Sequence, residues 1–315
     1  MNPSPRRREH LIGLRGMPKE RIERILDTAA ETKQIFGRAV KKLPTLRGQV
    51  MVNLFYEPST RTRTSFELAG KWMSADVVNV TVSASSVVKG ESLIETAQTI
   101  AALGADIVVV RHPAAGVPRL LSRVIDASVI NAGDGMHEHP TQALLDLFTI
   151  REAKGTVRGL HVVLVGDILH SRVARSNIWG LLTMGARVTV AGPPTLIPPG
   201  LESLGVRVRF DLDAVLPEAD VVNMLRIQRE RQKDGLLPDV REYRAFFALT
   251  EERLRLLRPD ALILHPGPAN LGVEIVPQVL DDPRARIHEQ VTNGVAVRMA
   301  VLYMLTGGGG RGVAA

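Results

Sequence analysis

The chain has 315 residues, 45% of them hydrophobic and 23% charged, which is enough for two domains with a hydrophobic core each. It contains no cysteine, which excludes a disulfide framework and thiolate catalysis. Lys and Arg number 40 against 33 Asp and Glu, a net charge of +7, but the basic residues are dispersed and aromatic residues are only 4%. This pattern favours small anionic ligands over nucleic acid.

The sequence also argues against a membrane or secreted protein. No apolar run approaches the ~20 residues that cross a bilayer, so no membrane association is expected. The N-terminal stretch is charged and lacks the apolar core of a signal peptide. We therefore expect a cytoplasmic protein.

Along the chain, short apolar runs alternate with stretches of helical spacing. In the first half we predict strands over 49–55, 77–82, 105–110 and 128–131 and helices over 18–36, 60–73, 91–103, 117–123 and 140–152. In the second half we predict strands over 160–165, 187–191, 206–210, 220–224 and 261–264, a helix over 172–183 and a final amphipathic helix over 291–305. This alternation is typical of an α/β fold with parallel sheets covered by helices on both faces.

The strand and helix pattern restarts after the segment 153–159, which indicates a link between two α/β domains. The first domain is expected over 1–152 and the second over 153–290. The Gly-rich stretch 307–315 is expected to be a disordered tail.

The most informative stretch is FYEPSTRTRTSFE, at 55–67. A strand ends there, Pro58 breaks it, and Ser59-Thr60-Arg61-Thr62-Arg63 is predicted to open a helix. A helix start offers N–H groups without intrahelical partners, and three hydroxyls and two guanidiniums lie within these five residues. The segment therefore predicts a phosphate or acyl phosphate site beyond the carboxyl end of the strand. The alternative is that Ser59 caps the helix and the arginines face solvent.

The segment from Ser59 to Arg63 resembles the carbamoyl phosphate signature of the aspartate and ornithine carbamoyltransferases. The resemblance continues in order along nearly the whole chain. It implies that 1–152 binds carbamoyl phosphate, that 153–290 binds the amino acid, and that the C-terminal helix over 291–306 packs back on the first domain. Carbamoyl phosphate ligands in this segment would be Ser59, Thr60, Arg61 and Thr62, with Arg61 and Thr62 also acting in catalysis.

Three more segments follow the family pattern for carbamoyl phosphate. Arg111 would contact both the phosphate and the carbamoyl oxygen, and the alternative is a strand-end ion pair. His139 would donate a hydrogen bond to the carbamoyl oxygen, and Gln142 would accept one from the carbamoyl amide. Arg111 and His139 would thus also act in catalysis. The same amide would face the backbone carbonyls of a stiff turn, Pro266, Gly267 and Pro268.

The segment 85–91 resembles the family's mobile loop. In the family this loop reaches into the active site of a neighbouring subunit, which implies a homotrimer with shared active sites. Ser85 would bind carbamoyl phosphate, and Lys89 would act in catalysis and in aspartate binding. Without the resemblance, the segment would be predicted as a flexible surface loop.

Two further segments bear on the amino-acid substrate. Arg172, in the first strand-to-helix turn of the second half, would hold the α-carboxylate of aspartate. Arg226 and Gln228 form an Arg-x-Gln segment before a basic-acidic run and would hold the β-carboxylate with help from Lys89. The family's ornithine enzymes use a different segment and a His-Cys-Leu-Pro motif, whereas this chain reads His-Pro-Gly-Pro at 265–268. Aspartate is therefore favoured over ornithine.

The resemblance implies that carbamoyl phosphate and L-aspartate give N-carbamoyl-L-aspartate and phosphate, the committed step of de novo pyrimidine (UMP) biosynthesis. No metal or organic cofactor is expected. His137 and His139 could suggest a metal, but two histidines at this spacing before a proline make a poor site, and His137 is interpreted as structural. Leu271 stands where related bacterial sequences usually have Arg, which weakens the assignment to their subgroup.

Other possibilities stay open at this point. The trimer could join a regulatory chain or a dihydroorotase-like chain. The amino-acid substrate could be ornithine. A non-catalytic anion-binding module and a nucleic acid-binding protein are alternatives of a different class, the latter the weaker of the two.

Overall fold

The computed structural model describes residues 8–81, 91–228, 236 and 239–306. The chain divides into two compact units. The first unit contains Glu20–Thr141, the segment that ends at Gly13 and the segment that begins at Asn293. The second unit contains Leu14–Lys19 and Gln142–Thr292.

The predicted domain limits at 152/153 and 290/291 stay a prediction. The predicted disordered tail, 307–315, lies outside the described residues. Among the helices that the structure describes, none is both long and apolar enough to span a bilayer.

The first unit is built on a parallel sheet whose order, within the described residues, is β2-β1-β3-β4. These strands are β1 (Val50–Phe55), β2 (Asp76–Thr81), β3 (Ile107–His112) and β4 (Ser128–Asp134). The helices of this part of the chain are α1 (Lys19–Lys33), α2 (Thr60–Trp72), α3 (Leu93–Ala102) and α4 (Val117–Val124). The apolar runs of β1 and β3 are buried, as expected for strands covered on both faces.

The second unit is built on a parallel sheet of order β7-β6-β5-β8-β9, again within the described residues. These strands are β5 (His161–Val165), β6 (Arg187–Ala191), β7 (Arg207–Arg209), β8 (Val221–Met224) and β9 (Leu262–Leu264). The helices α5 (Pro140–Lys154), α6 (Arg172–Thr183), α7 (Val240–Phe247) and α8 (Glu251–Leu256) accompany them. Val163 and Val165 of β5 pack into a core with Val222 and Met224 of β8.

The strand order of each sheet indicates where a ligand binds. In the first sheet the chain moves outward from β1 on one side to β2 and on the other to β3 and β4, so the order reverses between β1 and β3. In the second sheet it reverses between β5 and β8. Open α/β sheets bind ligands beyond the carboxyl ends of the strands at such reversals. The candidate ligand sites are therefore at the ends of β1 and β3 and at the ends of β5 and β8.

The C-terminal helix α9 (Ile287–Leu305) packs on helices of the first unit. Arg298 Nη1 donates to Ser65 Oγ of α2 at 2.8 Å, and Thr32 Oγ1 of α1 donates to the carbonyl of Ala296 at 3.0 Å. The predicted α/β fold with two parallel sheets and a returning last helix is thus confirmed. The amphipathic character predicted for this helix is wrong, because residues 293–302 are all buried and it is covered on every side there.

Two helices, α7 and α8, were not predicted. Each begins at a side-chain cap: Asp239 accepts from the Arg241 N–H at 3.0 Å, and Thr250 accepts from the Arg253 N–H at 3.4 Å. Both helices are short, with eight and six residues, so apolar periodicity is weak over their length. The capping residues were the available signal.

Candidate active site

In the first unit, the turn from β1 into α2 carries the predicted phosphate signature. Ser59 occupies the N-cap position with extended backbone angles (φ −161°), and the Arg63 N–H donates to its carbonyl at 3.1 Å. Its side chain makes no capping hydrogen bond within the part of the chain that the structure describes. The first N–H groups of a helix have no intrahelical acceptor, so this uncapped start of α2 is suited to an anion.

The signature residues differ in exposure. Thr60 and Arg61 are exposed, Ser59 is half-buried, and Thr62, in the first turn of the helix, is buried. Because α2 begins directly beyond the buried end of β1, the segment brings hydroxyl and guanidinium donors to the carboxyl edge of the sheet. The alternative interpretation has mixed support, because Ser59 makes no side-chain cap hydrogen bond but Arg61 is exposed as that alternative expects, so the phosphate site stays a prediction.

Arg111 lies beside this turn. It is inside β3 and pairs in register with Phe55, the last residue of β1, and its carbonyl accepts from the Tyr56 N–H at 2.9 Å. Arg111 Nε donates to Glu57 Oε2 at 3.3 Å, and 15% and 19% of the two side chains are exposed. The ion pair named as the alternative is therefore present, and its partner Glu57 lies in the turn between β1 and α2. The prediction that Arg111 follows the strand is corrected, since β3 extends to His112.

His112 adds a neutral group to this edge of the sheet. Its Nδ1 accepts from the Ala114 N–H at 2.9 Å, and its ring lies 4.7 Å from the ring of Tyr56. Burial lowers the pKa of His112, with weaker opposing contributions from the Ala114 N–H, Glu57 and Asp134. Arg111 is therefore flanked by a neutral imidazole at neutral pH.

His139 follows a turn that is stabilised by hydrogen bonds to Asp134. Asp134, the last residue of β4, is buried, and its Oδ2 accepts from the Gly116 N–H at 2.7 Å. Its Oδ1 accepts from Asn131 Nδ2 at 2.8 Å and from the Glu138 N–H at 3.1 Å. These hydrogen bonds close the loop between β4 and α5. His139 then stands, buried, immediately before the first residue of α5.

His137 contacts the same carboxylate, with Nδ1 at 3.0 Å from Asp134 Oδ2. This contact agrees with its interpretation as a structural residue. Within the described ranges, no group of three metal-ligating side chains is found.

In the second unit, the turn after β5 leads to Arg172. Asp167 is buried and accepts from the His170 N–H at 3.0 Å and from His170 Nδ1 at 2.9 Å. Ser171 caps α6 by accepting from the Ala174 N–H at 3.1 Å. Arg172 is the first residue of α6 and is itself buried.

The backbones after β5 and β8 approach each other closely. The Leu225 N–H donates to the Val165 carbonyl at 2.8 Å. Gly166 has φ +125°, and a Cβ there would lie 2.9 Å from the Tyr243 hydroxyl and 3.2 Å from the Leu225 carbonyl. Burial raises the pKa of Tyr243, and Glu274 and Asp167 add to the effect, so its hydroxyl stays protonated. A side chain at position 166 would push apart the segments that carry Arg172 and Arg226.

Arg226 and Gln228 follow β8 in a segment anchored by Glu274. Glu274 is fully buried, and its Oε1 accepts from the Ile227 N–H at 2.9 Å, between the two predicted ligands. The same carboxylate accepts from the Asn270 N–H and side chain, both at 2.6 Å. Gln228 Nε2 donates to the Arg226 carbonyl at 3.4 Å. One buried carboxylate thus links the Arg-x-Gln segment to the loop after β9.

The predicted turn Pro266-Gly267-Pro268 leaves β9 through the buried His265. The Gly267 N–H donates to His265 Nδ1 at 2.9 Å, and Gly267 has φ +61°, which favours glycine. The His265 N–H donates to Gln290 Oε1 at 2.9 Å. Leu271, further along this loop, is exposed.

Gln142 lies in the first turn of α5 and is buried. Its Nε2 donates at 3.0 Å to Oδ1 of Asp146, one helical turn further on. Burial raises the pKa of Asp146 from 3.8 to about 6, against the lowering effect of hydrogen bonds from Asn177, Gln290, Gln142 and Asn223. Near neutral pH it is therefore mostly a carboxylate.

The structure places the predicted site residues in two sets. The first unit holds Ser59, Thr60, Arg61, Thr62, Arg111 and His139. The second unit holds Gln142, Arg172, Arg226, Gln228, Pro266, Gly267 and Pro268. Ser85, Lys89 and the basic-acidic run from Arg229 lie outside the described residues.

The carboxylates that hold these segments were not predicted from the sequence: Asp134, Asp146 and Glu274. A carboxylate inside an apolar helix, as in LLDLF at 144–148, is a usable signal, because an acidic residue in such a run is buried only with partners. Glu274 carried no comparable signal, since it follows a loop of mixed composition.

Two family models match the chain almost from end to end. The model described as aspartate/ornithine carbamoyltransferase, carbamoyl-P binding domain, matches residues 9–152. The model described as aspartate/ornithine carbamoyltransferase, Asp/Orn binding domain, matches residues 158–305.

Individual proteins give the same result. The chain is 62% identical over 301 residues to the aspartate carbamoyltransferase catalytic subunit of Moorella thermoacetica, covering 96% of this chain and 98% of that one. It resembles the catalytic subunit of M. jannaschii aspartate transcarbamoylase with a TM-score of 0.84 at 35% identity, covering 96% and 99% of the two chains. It resembles aspartate transcarbamoylase from Trypanosoma cruzi in complex with carbamoyl phosphate and aspartate with a TM-score of 0.86 at 30% identity, covering 94% and 96%. The chain therefore belongs to the aspartate/ornithine carbamoyltransferase family.

Proposed function

We propose that this protein transfers the carbamoyl group of carbamoyl phosphate to the α-amino group of L-aspartate, giving N-carbamoyl-L-aspartate and phosphate. The observation that carries the proposal is the placement of Arg111 beside the uncapped start of α2, at the point where the first sheet reverses its strand order. Aspartate as the acceptor is supported by relatives that are named for it and are 62% identical to this chain. The product places the reaction in pyrimidine biosynthesis.

Carbamoyl phosphate binding is assigned to the residues that follow the family pattern. The phosphate would accept hydrogen bonds from the α2 backbone and from Ser59, Thr60 and Arg61, because a helix start, hydroxyls and guanidinium all donate to anions. The carbamoyl oxygen would accept from Thr62, Arg111 and His139. The carbamoyl amide would donate to Gln142 and to the carbonyls of the turn Pro266, Gly267 and Pro268.

Aspartate binding is assigned to the second unit. Arg172 would hold the α-carboxylate, and Arg226 with Gln228 would hold the β-carboxylate. A guanidinium binds a carboxylate through two parallel hydrogen bonds, so each arginine would fix an orientation as well as a charge. The Glu274 anchor on Ile227 supports this role, since it holds the backbone between Arg226 and Gln228.

The reaction proceeds by attack of the unprotonated amine on the carbonyl carbon. A C–N bond forms, negative charge develops on the carbonyl oxygen, and the C–O bond to phosphate then breaks while the phosphate takes the proton from the amine. Thr62, Arg111 and His139 would stabilise the oxygen, and loss of one such donor typically costs about 2.7–4 kcal/mol of barrier. Holding the two substrates in attack geometry contributes roughly 7–11 kcal/mol. The carbamoyl group is already activated, so the mechanism requires no metal or organic cofactor.

Ser85 and Lys89 would complete the site from a neighbouring subunit of a homotrimer. This part of the proposal rests on the family resemblance of the loop sequence. It is tested by mixing two inactive variants, Arg61→Ala and Lys89→Ala, after subunit exchange has been demonstrated. Hybrid trimers should regain activity, since some sites then contain both native residues. No recovery would rule out a shared site.

The whole proposal is tested by incubating the protein with carbamoyl phosphate and either L-aspartate or L-ornithine. We expect carbamoyl-aspartate and phosphate in equal amounts and no carbamoyl-ornithine. An Arg61→Ala variant is the control for contaminating activity. If carbamoyl-ornithine is the main product, the acceptor is ornithine and not aspartate. If the protein binds carbamoyl phosphate but forms neither product, it is a non-catalytic anion-binding module.

A further inference from the structure

Asp146 is a buried carboxylate to which the reaction described above gives no task. It lies on α5, is 0% exposed, and accepts hydrogen bonds from four side-chain amides. These divide evenly between its two oxygens. Oδ1 accepts from Gln142 at 3.0 Å and Gln290 at 2.7 Å, and Oδ2 accepts from Asn177 at 2.8 Å and Asn223 at 3.3 Å.

A carboxylate at the centre of four amides determines how each amide is oriented. An ionised carboxylate accepts hydrogen bonds and cannot donate them, so only the NH₂ group of an amide can face it. Gln142 must therefore turn Nε2 towards Asp146 and its carbonyl oxygen away from it. That carbonyl oxygen is the atom assigned to accept from the carbamoyl amide.

Gln290 extends the effect of the same carboxylate to the turn after β9. Its Nε2 donates to Asp146 Oδ1, so its Oε1 points the other way and accepts from the His265 N–H at 2.9 Å. His265 in turn accepts from the Gly267 N–H at 2.9 Å. A continuous chain of hydrogen bonds thus runs from Asp146 to the middle of the turn 266–268.

We propose that Asp146 is a positioning residue for the carbamoyl end of carbamoyl phosphate. It orients the Gln142 carbonyl directly and positions the carbonyls of the 266–268 turn through Gln290 and His265. The inference rests on the proposed function, since it needs carbamoyl phosphate as the ligand. One buried side chain would thus align hydrogen-bond acceptors that come from two distant parts of the sequence.

Inorganic phosphate provides the contrast that separates positioning from general stability. Phosphate would bind at the α2 start and has no carbamoyl amide, so it should not sense the orientation of Gln142. Asp146→Asn replaces one acceptor oxygen by an NH₂ group and removes the negative charge. Some of the four amide donors around position 146 then have no acceptor. We expect the Kd of carbamoyl phosphate to rise about 10- to 100-fold, the range for weakening two neutral hydrogen bonds to the carbamoyl amide. The Kd of inorganic phosphate should stay within about 2-fold on the same grounds.

Both dissociation constants are measured by titration calorimetry on the intact protein, with Asn177→Ala as the matched control. That variant removes a donor to Oδ2 and leaves the Oδ1 partners in place, so it should lower the thermal midpoint without changing the ratio of the two Kd values. Equal weakening of phosphate and carbamoyl phosphate by Asp146→Asn, or no weakening of either, would overturn the inference.

Gln290→Met keeps the test decisive if Asp146→Asn does not fold. It removes both side-chain hydrogen bonds of Gln290 while preserving side-chain length, and it should raise the Kd of carbamoyl phosphate selectively. Unchanged affinity for both ligands would remove the link to the 266–268 turn. Failure of the native protein to bind carbamoyl phosphate at all would instead defeat the proposed function, so the two failures are distinguishable.

Discussion

The carboxyl edges of the two sheets are built on different principles. At the first edge, donors for an anion come from consecutive residues at an uncapped helix start, and Arg111 joins them from the adjacent strand. At the second edge, the Arg226 segment and the 266–268 turn are held by buried carboxylates, Glu274 and Asp146. Phosphate is a compact charge that a local cluster can bind. An amide and two carboxylates must be bound in a set orientation, which requires supports from distant parts of the chain.

The largest expected effect is at the first edge. Arg111→Gln removes a donor proposed for the developing oxyanion and should lower kcat/KM by about 10²- to 10³-fold, which corresponds to the loss of one such donor. The aspartate concentration at half-saturation should change little, because aspartate binding is proposed for the second edge. Steady-state kinetics with each substrate varied measures both values.

Glu57→Gln is the matched control for this variant. It removes the ion pair but keeps the guanidinium, so its effect should be much smaller. A loss below tenfold in Arg111→Gln, or an equal loss in both variants, would show that Arg111 serves the fold through its ion pair.

The next effect concerns stability at the second edge. Burial raises the pKa of Asp146 to about 6, so folding favours its protonated form, and this carboxyl contributes most to stability below pH 4. The contribution should decline as pH rises from about 4 to about 6 and level off above pH 7. Its full size is about 3 kcal/mol of unfolding free energy, which corresponds to a pKa raised from 3.8 to about 6. Denaturant unfolding of the native protein and of Asp146→Asn between pH 4.5 and about 7.5 measures it.

The difference between the two unfolding curves isolates this carboxyl, because other titrating groups are common to both proteins. The native protein should lose stability relative to Asp146→Asn as pH rises. A difference that does not vary with pH would mean that the Asp146 carboxyl has an ordinary pKa.

A smaller effect should distinguish the substrates. Arg226→Lys replaces a two-pronged donor by a point charge, and should raise the KM for aspartate by about 10- to 100-fold, in the range of charged hydrogen bonds. The Kd of carbamoyl phosphate should be nearly unchanged. Arg207→Lys is a control at an exposed arginine paired with Glu218, where the two basic residues should be interchangeable. Equal loss of carbamoyl phosphate binding in Arg226→Lys would end the assignment of Arg226 to aspartate.

The smallest effect tests whether aspartate binding at the second edge is maintained when the helix α7 is destabilised. Asp239→Ala removes the cap of α7, the helix that carries Tyr243, and should cost about 1 kcal/mol of unfolding free energy. The KM for aspartate should stay near the native value, since Tyr243 is held by burial. An increase in KM without loss of stability would place α7 among the elements that shape the aspartate site.

How well each feature could be predicted depends on how far apart in the sequence the residues that determine it lie. Strands such as β1 and β3 and the helix α2 were predicted within a few residues, because their apolar runs and the Pro58 break are local signals. The short helices α7 and α8 were missed because they have too few residues for periodicity to show. The last helix was wrongly expected to have a polar face, because burial on every side depends on which elements surround it.

By itself the sequence determined the α/β class, the phosphate signature at Ser59–Arg63 and the family resemblance, since each is carried by residues close together in the chain or in a recognisable order. The tertiary structure decided which partners those residues have. Arg111 meets Glu57, Ile227 meets Glu274, and Gln142 meets Asp146, whose other amides come from α6, β8 and α9. A carboxylate in a sequence does not show which donors it will accept from. Only folding removes it from water, and a buried carboxylate must then be satisfied by whichever polar groups surround it.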